Sequence, residues 1–214
     1  MKSYLVIGLG KFGHHLCKNL AKYNNEIMVI DQDEDKVEDL LPVVTNAKIG
    51  DCTNTEVLQS LGVSNFDICF VCIGENFQSS LEVTSLVKEM GARRVVSLAC
   101  RDIHAKFLLR NGADDVIYPD RDIAERMAKK YSKQTIFDYI ELDAEHGIYE
   151  IPPFPECIGK SIKDVNFRAK YNANIIGYKR DGKVHMMPPV DYVFNEEEHL
   201  IVVGRNSKLD KIIN

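Results

Sequence analysis

The sequence lacks a positive face. Its 27 Lys and Arg are outnumbered by 32 Asp and Glu, for a formal charge of −5 and a pI near 5.7, and no run of Lys or Arg offsets that balance. A nucleic-acid binder needs a basic surface to meet phosphates and release counterions, so nucleic acid is excluded as a partner. A long apolar segment is missing too. The opening stretch Tyr4-Leu5-Val6-Ile7 falls far short of the roughly 20 apolar residues of a membrane-spanning helix and has none of the tripartite layout of a signal peptide. The expectation is a soluble, cytoplasmic protein whose membrane role, if it has one, runs through a partner.

A cysteine framework is absent as well. Cys17, Cys52, Cys69, Cys72, Cys100 and Cys157 follow neither zinc nor disulfide spacing. Cys69 and Cys72 form a C-x-x-C, but inside the apolar run Ile68-Cys69-Phe70-Val71-Cys72-Ile73, and residues i and i+3 of a strand face opposite sides. They read as core thiols, which behave as small hydrophobes. No catalytic set stands out either. Hydride transfer needs a substrate pocket with a general acid or base. The histidines His14, His15, His104, His185 and His199 are scattered over helices and strands, where they read as surface or core residues, so no catalytic residue is assigned.

What is present is alternation. Apolar strand-length runs at Tyr4 to Ile7, Glu26 to Ile30, Ala47 to Ile49, Asp67 to Ile73, Arg94 to Leu98 and Asp115 to Tyr118 are separated by helix-length segments. These run over Gly13 to Lys22, Glu34 to Leu41, Thr55 to Leu61, Phe77 to Met90, Ile103 to Asn111 and Asp122 to Tyr131. Such alternation predicts βαβ units and a parallel sheet. Gly62, Gly91 and Gly112 each follow an apolar-periodic segment, where glycine ends a helix in the left-handed conformation. Six strands joined by right-handed crossovers give an α/β class, a Rossmann-like doubly wound sheet.

After Tyr131 the pattern shifts to a polar stretch and then to short strands with proline-rich turns, which places a domain boundary near Gln134: a nucleotide-binding domain over 1–133 and a small α+β lobe over 134–214. Strands are expected at Ile148 to Ile151, Ile175 to Lys179, Lys183 to Met187 and His199 to Val203, with Asp181-Gly182 as a tight hairpin turn. A short helix is expected from Ser161, an N-cap residue followed by Ile162, Val165 and Phe167 at helical spacing. A lobe this small suits ligand sensing or dimerisation better than catalysis.

The chemistry begins at Gly8-Leu9-Gly10-Lys11-Phe12-Gly13. A lone GxGxxG is weak, but here it follows a strand and opens a helix at the head of a βαβ unit. Gly8 permits the turn, Gly10 lets the backbone approach a pyrophosphate, and Gly13 brings helix and strand together, with the helix N-terminus facing the phosphates. Asp31 ends the next strand about twenty residues on, where a carboxylate accepts ribose hydroxyls and disfavours a 2′-phosphate; the ligand is then NAD, ADP or ATP. Gln32 adjoins it, and Asp33 is either a second ribose contact or a helix N-cap. Lys11 either meets the phosphates or is solvated. In Gly50-Asp51-Cys52-Thr53, Asp51 takes an adenine amine, or it or Thr53 caps the next helix. Ile73, Gly74 and Asn76, closing the fourth strand, would lie over the phosphates.

These residues, with Ser60-Leu61-Gly62-Val63, Ile73-Gly74-Glu75-Asn76-Phe77-Gln78-Ser79-Ser80, Asn111-Gly112-Ala113-Asp114 and Asn166-Phe167-Arg168-Ala169-Lys170-Tyr171, resemble the RCK (TrkA-N plus TrkA-C) regulatory subunits of bacterial potassium transporters, the KtrA-like members of the Ktr system above all. The resemblance covers almost the whole chain in order and spacing. It implies homodimers assembling into an octameric ring that docks on an integral membrane K+-translocating subunit (KtrB/TrkH-like), peripheral at the inner face of the membrane. It also implies gating by ATP and ADP, or by NAD or NADH, in the first lobe. Lys11 falls where relatives carry an arginine for the terminal phosphate, keeping its charge but not its fork geometry. Leu98 replaces a basic residue of relatives, and Arg101 stands three residues on as its substitute. Asp120 matches an acidic position that helps hold Mg2+ or Ca2+ across the dimer. In the small lobe Ile162, Arg168, Asn174, Ile175 and Pro188 match positions that bind cyclic di-AMP. The alternative from another class is a small NAD-dependent oxidoreductase.

Overall fold

The fold was taken from a computed structural model, which describes residues 1–132 and 136–212. In chain order the elements are β1 (Ser3–Ile7), α1 (Lys11–Leu20), β2 (Glu26–Asp31), α2 (Glu34–Glu38), β3 (Asn46–Ile49), α3 (Thr55–Gln59), β4 (Ile68–Val71), α4 (Phe77–Glu89), β5 (Val95–Leu98), α5 (Asp102–Arg110), β6 (Asp115–Ile117), α6 (Pro119–Ser132), β7 (Asp138–Glu141), β8 (His146–Ile151), α7 (Ile162–Val165), α8 (Phe167–Tyr171), β9 (Ala173–Arg180), β10 (Lys183–Met186), β11 (His199–Arg205) and α9 (Asn206–Ile212). They form two compact units, 1–120 and 121–214, so that nearly all of α6 belongs to the second. The boundary expected at Gln134 lies outside the described residues.

The first unit holds a six-stranded parallel sheet of order β3-β2-β1-β4-β5-β6. Both of its faces are buried. On β1, Leu5 and Ile7 join a core with Leu58 of α3 and Val83 and Val87 of α4, while Tyr4 and Val6 join another with Cys17 of α1 and Val37 of α2. The two-residue period of a strand forces this division, and a sheet buried on both faces is the doubly wound arrangement that crossover helices produce. Cys69 and Cys72 go to opposite cores, as an i, i+3 pair in extended chain must. Gly62, Gly91 and Gly112 have φ of 64°, 82° and 105°, the left-handed values expected at helix ends. Strand order reverses between β1 and β4. A crevice at such a point, outside the carboxyl ends of the strands, is where doubly wound sheets receive ligands.

The second unit is a five-stranded antiparallel sheet, β10-β9-β11-β8-β7, over a core of Tyr139, Tyr149, Ile151, Phe167, Phe194, Leu200 and Val202 among others. Ser161 caps α7 in a capping box with Asp164. The single helix expected there is two, because Asn166 adopts φ 49° and breaks the run before Phe167. Asp181 and Gly182, at φ 50° and 73°, turn the β9–β10 hairpin. Register between β9 and β11 shifts at Ile201/Val202, and this bulge lets both Ile175 and Tyr178 pack on one core. Strand β7 and helix α9 have no counterpart in the sequence reading. Among the described residues no helix is long and apolar enough to cross a membrane.

Candidate functional site

The glycine turn links β1 to α1. Gly8 has φ +91°, and a Cβ there would lie 3.1 Å from the Cys72 carbonyl group; a Cβ on Gly13 would sit 2.1 Å from the Gly8 carbonyl oxygen, whereas one on Gly10 would meet nothing within 4 Å. The three glycines therefore do different things. Gly8 makes the turn, Gly13 brings α1 onto it, and Gly10 faces open space, the condition for a phosphate to approach the backbone. Gly10 is also the N-cap of α1, with no side-chain cap, which leaves helix-start amides for an anion. Lys11 is exposed in the first turn, and Phe12 packs against the core below.

Asp31 ends β2. Its Oδ2 accepts a hydrogen bond from the Leu9 amide at 2.6 Å and its Oδ1 accepts from the Asp33 amide at 3.0 Å. The carboxylate thus ties the end of β2 to the glycine turn, and each oxygen keeps a lone pair for a further donor. Gln32 is exposed. Asp33 occupies the N-cap position of α2 without a side-chain capping bond; it pairs with Lys36 at 3.2 Å. That hydrogen bond, followed by the charge of Asp31, holds the Lys36 ammonium above its ordinary range. Lys36 is a cation beside Asp31 and Asp33 that sequence reasoning missed; its only signal was the i, i+3 spacing from Asp33. His14, one residue past Gly13, pairs with Asp39 at 2.6 Å and so joins α1 to the chain following α2.

After β3, Asp51 Oδ1 accepts from the Thr53 amide and hydroxyl at 2.9 and 2.8 Å. Neither residue caps α3. Asn54 does, accepting from the Glu56 amide, because a two-residue Asx turn places it at the helix start. Cys52 is buried, so a ligand can meet only its backbone. After β4, Ile73 packs beside Gly8, and the Gly74 carbonyl accepts from the Cys100 thiol at 2.7 Å. Asn76 is the N-cap of α4, accepting from the Ser79 amide, which commits its oxygen to structure. Arg101 lies 5.0 Å over the Phe77 ring, exposed near the end of β5. Asp120 is exposed in the first turn of α6, and among the described residues no cluster of three metal-ligating side chains forms. One carboxylate does not make a Mg2+ or Ca2+ site.

In the second unit Arg168 is exposed on α8. Asn174 is exposed on β9, while the adjacent Ile175 packs on the core. Consecutive strand residues face opposite sides, so these two do not line one surface of a single chain. Ile162 and Pro188 lie nearer each other in the fold, since the segment after β10 bonds both to β9, through the Met187 amide to Ile176, and to the start of α7, through the Tyr192 carbonyl to Ile162. His199 stacks on Phe137 and pairs with Glu150, a structural place.

With this geometry in view, the TrkA-N domain model matches residues 4–119 and the TrkA-C domain model matches 147–214. Over 203 residues the chain is 40% identical to the Ktr system potassium uptake protein C of Bacillus subtilis, covering 95% of this chain and 92% of that one. Protein A of the same system and organism is 33% identical, with 100% and 96% covered. Among solved structures, the GsuK channel bound to NAD superposes with a TM-score of 0.68 at 20% identity, over 97% of this chain and 38% of that longer one. The chain belongs to the family that joins a TrkA-N domain to a TrkA-C domain, alongside the Ktr system potassium uptake proteins.

Proposed function

We propose that this protein is a nucleotide-binding regulatory subunit that gates a potassium uptake transporter. The observation that carries the reading is the glycine turn at the β1/β4 switch point with Asp31 bound to its Leu9 amide. Turn, helix start and ribose carboxylate are one connected unit, so a nucleotide bridging them acts on β1, β2 and α1 together. ATP or ADP, or NAD or NADH, occupies this cleft, with Lys11 near the phosphates. The Ktr relatives support potassium uptake as the process, and the NAD-bound GsuK channel supports a nucleotide ligand on this fold.

In sequence the nucleotide-binding domain spans 1–133 and the small lobe 134–214, and homodimers build an octameric ring on the cytoplasmic side of a KtrB/TrkH-like membrane subunit. Asp120 contributes to a divalent site completed by a second chain, and Arg168, Asn174, Ile162, Ile175 and Pro188 take cyclic di-AMP where two small lobes meet. Gating requires that the nucleotides prefer different conformations, since a ligand with equal affinity for both shifts nothing.

A thermal-shift panel of ATP, ADP, NAD, NADH and cyclic di-AMP, with native mass spectrometry of the assembly and co-purification with a potassium-translocating membrane protein, tests this. Stabilisation by at least one nucleotide without NADH turnover is expected. Turnover of NADH with a substrate, or no nucleotide binding, would overturn it, and an inert cyclic di-AMP would remove the small-lobe assignment.

A further inference from the structure

Five of the six cysteines are buried; Cys100 is exposed. Burial pushes the thiols of Cys17, Cys52 and Cys69 up to about 12 and raises those of Cys72 and Cys157. These five are poor nucleophiles, because the thiolate is the reactive form. Cys100 lies just beyond β5 and two residues ahead of α5, at the carboxyl edge of the sheet.

Three groups surround its sulfur in order. The Cys100 thiol donates to the Gly74 carbonyl, and its Sγ lies 3.5 Å from His104 Nδ1, one turn along α5. His104 is fully buried, and its Nε2 lies 3.2 Å from Ser80 Oγ of α4. The Phe77 ring covers the imidazole at 4.9 Å. Burial, then the charge of Arg101, holds the imidazole below its ordinary pKa, so it is neutral near pH 7. With the proton on Nε2 donated to Ser80, the Nδ1 lone pair accepts the thiol's single proton when the S–H turns from the Gly74 carbonyl. A nucleophile, a base within reach and a third group orienting the base are the parts of an activated nucleophile.

We propose that Cys100 is a thiol–disulfide exchange site for low-molecular-weight disulfides, with His104 as proton acceptor and Ser80 as the positioning residue, and that its adduct weakens nucleotide binding. In the exchange the thiol proton moves to His104 Nδ1 and the sulfur attacks one sulfur of the disulfide. The Cys100 S–S bond forms as the small molecule's S–S bond breaks, and the departing thiolate takes the proton from His104. The disulfide is the only oxidant required, and excess thiol reverses the step.

The effect on the cradle follows from contacts. The adduct removes the donor to the Gly74 carbonyl and adds bulk where a Cβ on Gly74 would already touch Leu98 at 3.4 Å. Gly74 continues Cys72 and Ile73, against which the Gly8 turn packs. A displaced Gly74 therefore displaces the wall of the phosphate turn. This consequence rests on the nucleotide reading above; the thiol chemistry does not.

The full chain would be treated with 2-hydroxyethyl disulfide, followed by intact mass, and ADP and NAD affinities measured by calorimetry before and after. One adduct per chain is expected, absent in C100S and removed by dithiothreitol. H104Q should slow exchange at least tenfold and return its pH–rate profile to that of an unassisted thiol, and S80A should slow it by a smaller factor. Whichever nucleotide binds should lose at least tenfold in affinity on modification and regain it on reduction. Adduct on another cysteine, no adduct, an unchanged rate in both H104Q and S80A, or an adduct that leaves affinity intact would overturn the proposal. Absence of nucleotide binding before modification would instead sink the nucleotide reading and with it the affinity effect, while the rates still judge Cys100.

Discussion

The Oδ2 of Asp31 lies 2.6 Å from the amide nitrogen of Leu9, so the carboxylate at the end of β2 holds the glycine turn at the end of β1. In the proposed function this one side chain serves both the geometry of the cradle and its affinity for ribose. D31A should weaken nucleotide binding more than loss of a ribose contact alone explains. A charge-assisted hydrogen bond contributes roughly 1.5–3 kcal/mol, and two lost together predict well over a tenfold rise in Kd. Calorimetry with ADP and NAD checks this; unchanged affinity would place the ribose elsewhere.

The glycines separate folding from binding. G13A drives a Cβ to 2.1 Å from the Gly8 carbonyl oxygen, a clash with backbone that costs about 3 kcal/mol; the melting temperature of the first lobe should fall and nucleotide binding be lost. G10A meets nothing in the free protein. As the N-cap of α1 it should lower the melting temperature only slightly while losing affinity, so a G10A melt lowered as far as that of G13A would contradict this division.

His104 sets an acid limit on the first lobe. Its folded pKa is held below the ordinary 6.5 by burial and then by Arg101, so the unfolded chain binds the proton first. Stability is full above about 6.5 and declines as pH falls from there to the folded pKa. Asp67, whose carboxyl the Ser3 amide holds below the usual range, loses its contribution in a separate window, as pH falls below about 3.8. Denaturant midpoints measured from pH 7.5 to 5 should drop for the wild type and less for H104Q. Parallel curves would assign the upper window to other groups.

In the second lobe Glu198 is buried at 1% exposure and accepts from Arg180 and from the Tyr192 hydroxyl. Removing the cation strands a buried carboxylate, whereas neutralising the carboxylate leaves an arginine that reaches water. R180A should therefore lower the melting temperature more than E198Q. The reverse order in calorimetric scans would show that Tyr192 alone satisfies Glu198.

The boundary between what sequence determines and what the fold decides runs along contact range. Local periodicity and turn chemistry determined the six alternating strands, the helix-ending glycines, the Asp181-Gly182 hairpin, the Ser161 cap and the GxGxxG-to-Asp31 pairing, because each depends on neighbours within a few residues or on a spacing the βαβ unit fixes. Tertiary structure alone decided the rest. The bulge that turns both Ile175 and Tyr178 inward, the pairing of β7, and the meeting of Cys100, Gly74, His104 and Ser80 all come from packing. Cys100 and His104 follow β5 while Gly74 and Ser80 follow β4, and only the sheet order that sets β4 beside β5 brings the two pairs within bonding distance.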